Sequence, residues 1–419
     1  MGSRKASVAF ILVVLFLDTL GIGVIIPVLP KLITQLSRGD VAEGSRYYGL
    51  FVSAYALMQV LCAPMLGALS DRFGRRPVIL ASLLGAALDY VLLALAPDLW
   101  WLFVGRVLAG VTGASFSAAT AYIADVTPPE KRAQSFGLIG AAFGFGFIVG
   151  PALGGILGEH SLRAPFVVSA GLNLANFLYG LFVLPESLGR EHRRPVSFAR
   201  ANPLGALLNL GRSRVLLGLA GTLICSFLAQ QILQSTWALY TAERFAWTPR
   251  DVGVSLAVVG VAAGLVQGGL VRVVVPKLGE RRALVLALVF NVGGHLAFGL
   301  ATRGWMMYVF LVPFALGGIA GPAVQAILSR EVKASEQGEL QGSLTSLSSM
   351  SAVLAPLLST SLFARFAPAT ATPRIPGMPF FAAALFNAVG LLLAVRLFAR
   401  LPPSPPVEKP AAANQAERT

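Results

Sequence analysis

The chain has 419 residues, of which 56% are apolar and only 12% are charged. Soluble domains carry about 25% charged residues, so this composition excludes an ordinary water-soluble protein. The formal net charge of +14 would suit nucleic-acid binding, but a mean hydropathy of +0.74 argues against that function. The two cysteines, Cys62 and Cys225, are too few for a disulfide scaffold or a cysteine-rich metal site.

Apolar stretches recur along the whole chain, with short polar breaks between them. A helix needs about 20 apolar residues to cross the hydrocarbon core of a bilayer, and we identify twelve such stretches. The sequence therefore predicts an all-α integral membrane protein with twelve transmembrane helices. The predicted spans are residues 8–33, 46–69, 78–96, 99–119, 134–158, 164–184, 215–239, 252–275, 283–301, 304–327, 340–364 and 378–399.

Lysine and arginine are distributed unevenly between the two ends of these spans. If both termini lie on one side, 23 of the 33 Lys and Arg residues fall on that side and 9 on the other. Because positively charged loops stay in the cytoplasm, we expect both termini to be cytoplasmic. The net charge is then a consequence of membrane topology.

The widest polar break divides the spans six and six. We predict an N-terminal half over residues 1–190, a cytoplasmic central loop over 191–213, a C-terminal half over 214–400 and a disordered cytoplasmic tail over 401–419. Within the loop, residues 196–210 alternate apolar and polar side chains loosely, as in an amphipathic helix on the membrane surface.

A short motif of glycine and arginine occurs once in each half. Gly74-Arg75-Arg76 follows the second span, and Gly279-Glu280-Arg281-Arg282 follows the eighth span. Their similar positions within the two halves predict two pseudo-symmetric six-helix units related as a repeat.

The first copy belongs to a longer string, GALSDRFGRRP, over residues 67–77. It resembles the signature loop of the major facilitator superfamily, which implies a transporter fold and a role in gating. In the second copy, Arg272 and Pro276 stand where the first has glycine and aspartate, so we do not expect a second latch between the two halves there. The loop residues that carry the resemblance are Gly67, Asp71, Arg72, Gly74, Arg75 and Arg76.

Glycines also line one face of the fifth span, where Gly146, Gly150, Gly154 and Gly158 are spaced four residues apart. The string GPALGG, residues 150–155, adds Pro151 and Gly155 and resembles the antiporter motif of drug and proton exchangers in the superfamily. The eighth span carries its own glycine stripe. In this superfamily the fifth and eighth helices meet across the two halves, which implies smooth surfaces that allow the halves to rock.

Three charged residues, Asp18, Asp89 and Arg106, lie within predicted spans. Such residues usually face a cavity, because a charge in lipid is costly. At about 1.5 Å per residue, the two aspartates reach a similar depth and Arg106 lies within reach of them. A carboxylate balanced between burial and a neighbouring arginine can bind and release a proton. The alternative is a structural ion pair that never exchanges its proton.

The resemblance extends to the tetracycline/proton antiporter branch of the superfamily and covers nearly all of residues 8–400. It rests on the strings LDTLGIG (17–23), ALDY (87–90), PES (185–187), GERRAL (279–284), ATRGW (301–305) and QGELQGS (337–343). In that branch, carboxylates in spans one, three and nine handle substrate and protons. The resemblance implies this role for Asp18 and Asp89.

The branch pattern is incomplete in the C-terminal half. Asn291 stands at the position of the third carboxylate, and Ala263 replaces the histidine that the branch carries in span eight. His295 lies one helical turn from Asn291 and is a candidate proton carrier, because histidine titrates near neutral pH. The alternative is that His295 has a packing role. Because Asn291 and Ala263 differ from the branch pattern, we expect a related efflux pump whose substrate differs from that of the branch.

Polar and aromatic side chains on the apolar helices are candidates for the lining of a substrate cavity. Each of them alone is more typical of a hydrogen bond between helices or a lipid anchor than of a ligand contact, and only the set together indicates a pocket. The predicted lining residues are Gln59, Asn173, Gln231, Gln234, Trp237, Asn291 and Gln325, with Gln230 as a further candidate.

The sequence contains no P-loop, metal-binding motif or nucleophile elbow, so we expect no enzymatic activity. We predict a proton-coupled exporter of amphiphilic drugs such as tetracycline or a related compound, which works by alternating access in a bacterial inner membrane. Its expected partners are the substrate, protons and lipid, with no nucleic acid, and it is expected to be a monomer. No cofactor is expected, although the substrate can enter as a metal chelate.

Two other functions fit the same sequence. A proton-coupled importer of a small metabolite would share the fold and the two aspartates, although the antiporter motif argues against it. A transport-inactive sensor on the same scaffold is made conceivable by Asn291, which cannot bind or release a proton.

Overall fold

A computed structural model describes residues 8–113, 115–193, 213–333 and 336–401. The predicted surface helix at 196–210, most of the central loop and the predicted tail after residue 401 lie outside the described residues. The α-helices are α1 (Val8–Ile25), α2 (Leu29–Leu36), α3 (Val41–Phe73), α4 (Arg75–Leu95), α5 (Leu99–Thr112), α6 (Ser115–Val126), α7 (Arg132–His160), α8 (Ala164–Val183), α9 (Arg214–Phe245), α10 (Pro249–Leu265), α11 (Val271–Leu278), α12 (Glu280–Leu300), α13 (Gly304–Leu316), α14 (Ala320–Glu331), α15 (Gln337–Phe366) and α16 (Met378–Ala399).

All twelve predicted spans are present as helices that are long and apolar enough to cross a membrane. The all-α membrane fold predicted from the sequence is therefore confirmed. The boundaries of the halves, by contrast, remain predictions.

Several spans are interrupted, which the hydropathy pattern did not indicate. The first span was expected to continue to residue 33, but α1 ends at Ile25 and α2 begins at Leu29. Pro27 and Pro30 explain this break, because proline has no N–H to donate within a helix. Span eight contains a π-helical turn at Val266–Leu270, and span ten contains a 3₁₀ turn at Gly317–Ile319.

The repeated glycine motif adopts the same backbone conformation in both halves. Gly74 joins α3 to α4 with φ +106° and ψ 159°, and Gly279 joins α11 to α12 with φ +78° and ψ 154°. Only glycine adopts such positive φ angles without strain. The internal repeat seen in the sequence therefore corresponds to a repeated sharp turn between helices.

The packing of apolar side chains differs between the two ends of the molecule. At the end where α1 begins and α16 ends, one core lies among α1, α4, α6 and their neighbours, and another lies among α9, α12, α14 and their neighbours. At the opposite end, one large core joins both groups, with Tyr48 and Phe166 from one and Tyr240 and Phe380 from the other. Among the described residues, the apolar core that joins the two groups of helices lies at one end.

The contacts between the two groups run along two helix pairs, α7 with α10 and α3 with α15. Gly155 and Gly158 lie against Pro249, and Ser53 Oγ donates a hydrogen bond of 2.7 Å to the Val353 carbonyl. These contacts lie toward the end opposite the termini.

Candidate functional site

A cavity of about 490 Å³ lies between the two groups of helices. Its wall is formed by α1, α3, α4, α5 and α7 on one side and by α9, α10, α12, α13 and α15 on the other. Most of the lining is apolar or aromatic, with a small number of polar side chains, as in sites for small organic ligands. The charged lining residues are Asp18, Asp89 and Arg106.

Asp89 and Arg106 form an ion pair at the cavity wall. Arg106 Nη2 donates to Asp89 Oδ2 at 3.0 Å, and the two residues are 6% and 2% exposed, respectively. Gly105 allows α4 and α5 to approach closely here, because a Cβ at Gly105 would lie 2.8 Å from Asp89 Oδ1. The second carboxylate oxygen of Asp89 is buried and has no hydrogen-bond partner among the described residues, so this atom is available to accept a proton.

Asp18 lies at the same cavity and is half-buried. It is close enough to Tyr55 and Tyr90 for electrostatic interaction with both of them, as is Asp89. The structure thus brings both aspartates and Arg106 to one chamber. With both aspartates ionised, the three side chains carry a net charge of −1, which favours a cationic ligand.

Tyrosines surround this charged group. Gln59 Nε2 donates to Tyr55 Oη at 2.8 Å, and the Arg106 guanidinium lies 5.9 Å from the centre of the Tyr55 ring. Tyr48 and Tyr90 also line the cavity, although sequence reasoning did not select them. The position of Tyr48 could have been inferred from its spacing, because Tyr48 and Tyr55 are seven residues apart and so share a face of α3.

The opposite wall carries amides and a tryptophan. Gln230, Gln231, Gln234 and Trp237, all on α9, line the cavity. Trp237 Nε1 donates to Ser255 Oγ at 2.9 Å, and its ring meets Phe298 edge-on at a centroid distance of 5.3 Å. The indole is therefore held in one orientation.

Three residues expected to line the cavity are not among the residues that line it in this structure. Asn173 is fully buried between α8 and α1, where its Nδ2 donates to the Ser169 carbonyl at 3.0 Å. Asn291 Nδ2 donates to the Gly317 carbonyl at 3.4 Å. Gln325 is half-buried on α14, away from the cavity wall. The Asn173 and Asn291 side chains lie on helix faces that meet a neighbouring helix, at Gly21 and at Gly317.

His295 also lies outside the cavity lining. It is 1% exposed, its Nδ1 donates to the Asn291 carbonyl at 2.7 Å, and its ring packs edge-on against Phe314. Phe314 lies between His295 and the chamber that contains the two aspartates, since Phe314 itself lines the cavity. This placement favours the packing role over the role in proton transfer.

The signature loop forms a compact polar network within the N-terminal group of helices. Arg75 donates to Asp71 and to Ser70, and its Nε donates to Asp125 at the end of α6 at 3.1 Å. Glu186, just after α8, accepts the backbone N–H groups of Arg75 at 2.9 Å and Arg76 at 3.3 Å. The network holds the ends of α3, α4, α6 and α8 together.

Not every residue of the signature loop takes part in this network. Arg72 is exposed and stacks on Phe73, and a Cβ at Gly67 would meet open space. Asp125 was not identified from the sequence. Its position near the end of the fourth predicted span was a signal, because a carboxylate there can reach the arginine-rich loop.

The glycines of the antiporter motif bring α7 against two helices at once. A Cβ would lie 2.9 Å from Thr19 at Gly146 and 2.8 Å from Gly23 at Gly150, and at Gly154 it would overlap the Val24 carbonyl. These contacts fix α7 against α1, whereas Gly155 faces α10. Pro151 lies between the two contacts and lines the cavity.

These features are those of a membrane transporter with a central substrate cavity. The family model of the Major Facilitator Superfamily matches residues 11–302 and 219–418. The chain is 43% identical to the class C tetracycline resistance protein of Escherichia coli, over 87% of this chain and 91% of that protein. It is 39% identical to the class B protein of the same organism, over 84% and 88%.

Solved structures show the same fold. The human organic anion transporter MFSD10 is similar at a TM-score of 0.67 and 24% identity, with 92% of this chain and 98% of that chain covered. The nucleoside transporter NupG is similar at a TM-score of 0.75 and 12% identity, with 94% and 98% covered. The chain therefore belongs to the Major Facilitator Superfamily and, within it, to the branch of the tetracycline resistance proteins.

Proposed function

We propose that this protein is a proton-coupled exporter of amphiphilic drugs, with tetracycline or a related compound as substrate, in a bacterial inner membrane. The observation that carries the proposal is the buried Asp89–Arg106 pair beside Asp18 at the central cavity. The tetracycline resistance proteins that resemble it over most of the chain support a drug as the exported compound.

The positions of the aspartates support an exchange of substrate for protons. Ionised Asp18 and Asp89 would attract a cationic or metal-chelated substrate into the cavity. Protonation of these carboxylates from the other side of the membrane would remove the negative charge and release the substrate. One proton that moves inward across 100 mV contributes about 2.3 kcal/mol to this cycle.

The proposed orientation has both termini in the cytoplasm, as the distribution of Lys and Arg favours. In that orientation the cavity lies open toward the cytoplasm, because the shared apolar core closes the opposite end. We therefore take this conformation to be the one that receives the drug. It is proposed to act as a monomer, since both walls of the cavity come from one chain.

Respiring inside-out membrane vesicles with an internal pH-sensitive dye test this function. Addition of tetracycline, then of other amphiphilic cations, is expected to release protons from the acidic lumen. Asp18→Asn and Asp89→Asn should abolish this release. Asp98→Asn is a matched control, because Asp98 caps α5 outside the cavity and asparagine caps helices equally well.

The other possible outcomes separate the alternatives. Movement of substrate and protons together out of the lumen of preloaded vesicles would contradict export and indicate an importer. Absence of any response across the panel would contradict transport and favour a sensor. Proton release that persists in both aspartate variants would contradict the assigned residues while leaving export in place.

A further inference from the structure

The two walls of the cavity differ in charge. Among the described residues that line it, every charged side chain belongs to the N-terminal group of helices. The facing wall contributes three neutral amides from consecutive turns of α9, namely Gln230, Gln231 and Gln234. This division gives a bound molecule two chemically different ends.

The three amides are not used by the protein itself. None of their side chains forms a hydrogen bond with another described residue, whereas Gln59 on the opposite wall donates to Tyr55. Gln230 and Gln234 are exposed to the cavity and, four residues apart, are neighbours on the helix face. An amide left unpaired in a membrane interior is costly, so these groups require water or a ligand.

Rigid apolar surfaces lie beside the amides. Trp237, one turn along α9 from Gln234, has its indole N–H occupied by Ser255 and its ring fixed by Phe298. It therefore offers an aromatic surface and no free donor. Leu311 and Phe314 complete this apolar part of the wall, which suits the flat hydrocarbon framework of a fused-ring compound.

We propose that Gln230, Gln231 and Gln234 form a hydrogen-bonding subsite for the uncharged, oxygen-rich edge of the substrate. This inference rests on the proposed export function and identifies its substrate class. The substrate is a planar amphiphile with a positive group, directed to Asp18 and Asp89, and a row of hydroxyl or carbonyl oxygens on another edge. Each amide provides two donors and one acceptor, so the three can match such a row.

With this subsite, protonation of the aspartates would weaken only one part of the binding affinity for the substrate. The amides do not titrate, so their hydrogen bonds are the same before and after proton binding. The charge-dependent part of the affinity belongs to the aspartate wall alone.

Equilibrium binding to the purified full-length protein tests the subsite. The probes are tetracycline and tetraphenylphosphonium, a cation without hydrogen-bonding groups. Replacing each glutamine by methionine keeps the side-chain length and removes the amide. Each variant, Gln230→Met, Gln231→Met and Gln234→Met, is expected to raise the Kd of tetracycline about 2- to 10-fold, the cost of one hydrogen bond. The Kd of tetraphenylphosphonium should not rise.

Gln325→Met is the matched control, because Gln325 is a half-buried glutamine of the same half outside the cavity. It should leave both Kd values unchanged. Retained binding of tetraphenylphosphonium shows that the cavity of each variant is folded. Equal changes for the two probes, no change for tetracycline, or no binding of tetracycline by the unmodified protein would each overturn the subsite.

These outcomes are distinct from failure of the proposed function. Binding needs no proton gradient, so a selective loss of tetracycline affinity would support the subsite even if vesicles showed no proton release. Proton release with unchanged affinities in the methionine variants would support export and overturn the subsite.

Discussion

Arg106 and Asp89 form an ion pair that is almost entirely removed from solvent, with side chains 8% and 1% exposed. Removing one member of such a pair leaves an uncompensated charge, which costs about 3–5 kcal/mol. We therefore expect Arg106→Gln to lower the melting temperature of the protein in detergent and to abolish drug-driven proton release. Thermal unfolding and the vesicle assay measure the two effects.

The double variant Arg106→Gln with Asp89→Asn separates stability from transport. It removes both charges, so its melting temperature should recover toward that of the unmodified protein while transport stays absent. Arg365→Gln, at an exposed position, is the control and should change neither property. An Arg106→Gln variant as stable as the unmodified protein would show that the pair contributes no net stability.

Asn291 illustrates how a polar residue in a span can serve a neighbouring helix. Its side chain lies against Gly317, where α13 gives way to the 3₁₀ turn, and its Nδ2 donates to the Gly317 carbonyl at 3.4 Å. We expect Asn291→Asp to lower the melting temperature, since an ionised carboxylate would face a carbonyl oxygen. The loss should be larger at high pH than at low pH, because a protonated carboxyl can still donate.

The vesicle assay provides a second measurement on this variant. Because Asn291 lies outside the cavity, Asn291→Asp should not increase the number of protons released per drug molecule. An increase would mean that a carboxylate at this position joins the proton pathway, as the third carboxylate does in the tetracycline/proton antiporter branch that the sequence resembles.

At the scale of helices, each half contains an ion pair that joins the start of one helix to the end of another, and the positive and negative partners are exchanged between the halves. Arg75, the first residue of α4, pairs with Asp125 at 3.1 Å, and Glu280, the first residue of α12, pairs with Arg330 at 2.8 Å. Asp125 and Arg330 are each the penultimate residue of their helices, α6 and α14. The sequence comparison of the two motifs did not predict this second link, which lies within the C-terminal group of helices.

The exchanged charges predict a reversible defect. Glu280→Arg places two arginines together and should lower the melting temperature slightly, because Arg330 is 72% exposed and exposed pairs contribute at most about 1 kcal/mol. Adding Arg330→Glu should restore it. The same exchange of Arg75 and Asp125 should not restore stability, since Arg75 also binds Asp71 and Ser70. Full recovery there would contradict the network described for the signature loop.

The spans, the signature loop and the cavity aspartates were predictable, because each is recognised from a short stretch of sequence or from a residue's distance to the end of its span. Apolar length identifies a span, and the number of residues from its end places Asp89 and Arg106 at similar depth. The rotation of each helix was not predictable in this way. Asn173 and Asn291 point to neighbouring helices, and Asp125 meets Arg75 only after α4 and α6 have packed.

For the molecule as a whole, the glycine stripes of α7 and α10 are in contact at one end of the cavity and apart at the other. Near the closed end, Gly155 and Gly253 pack against each other's backbones. Toward the end where α1 begins and α16 ends, a Cβ at Gly144 on α7 or at Gly264 on α10 would meet no described residue within 4 Å. Alternating access requires the open end to close, and these bare faces allow the helices to approach.

Bulky side chains at the open end should therefore lock the transporter in its present conformation. Gly144→Leu and Gly264→Leu are expected to keep the melting temperature and tetracycline binding, because nothing occupies the space that leucine would fill. They should abolish drug-driven proton release, because leucine would prevent α7 and α10 from meeting. Gly171→Leu is the control, since a Cβ at Gly171 would also meet no described residue within 4 Å but lies on α8, which packs against α1, α4 and α7 of its own half. Wild-type proton release by both α7 and α10 variants would show that these faces do not meet during transport, and the cycle would then require a different closure of the cavity.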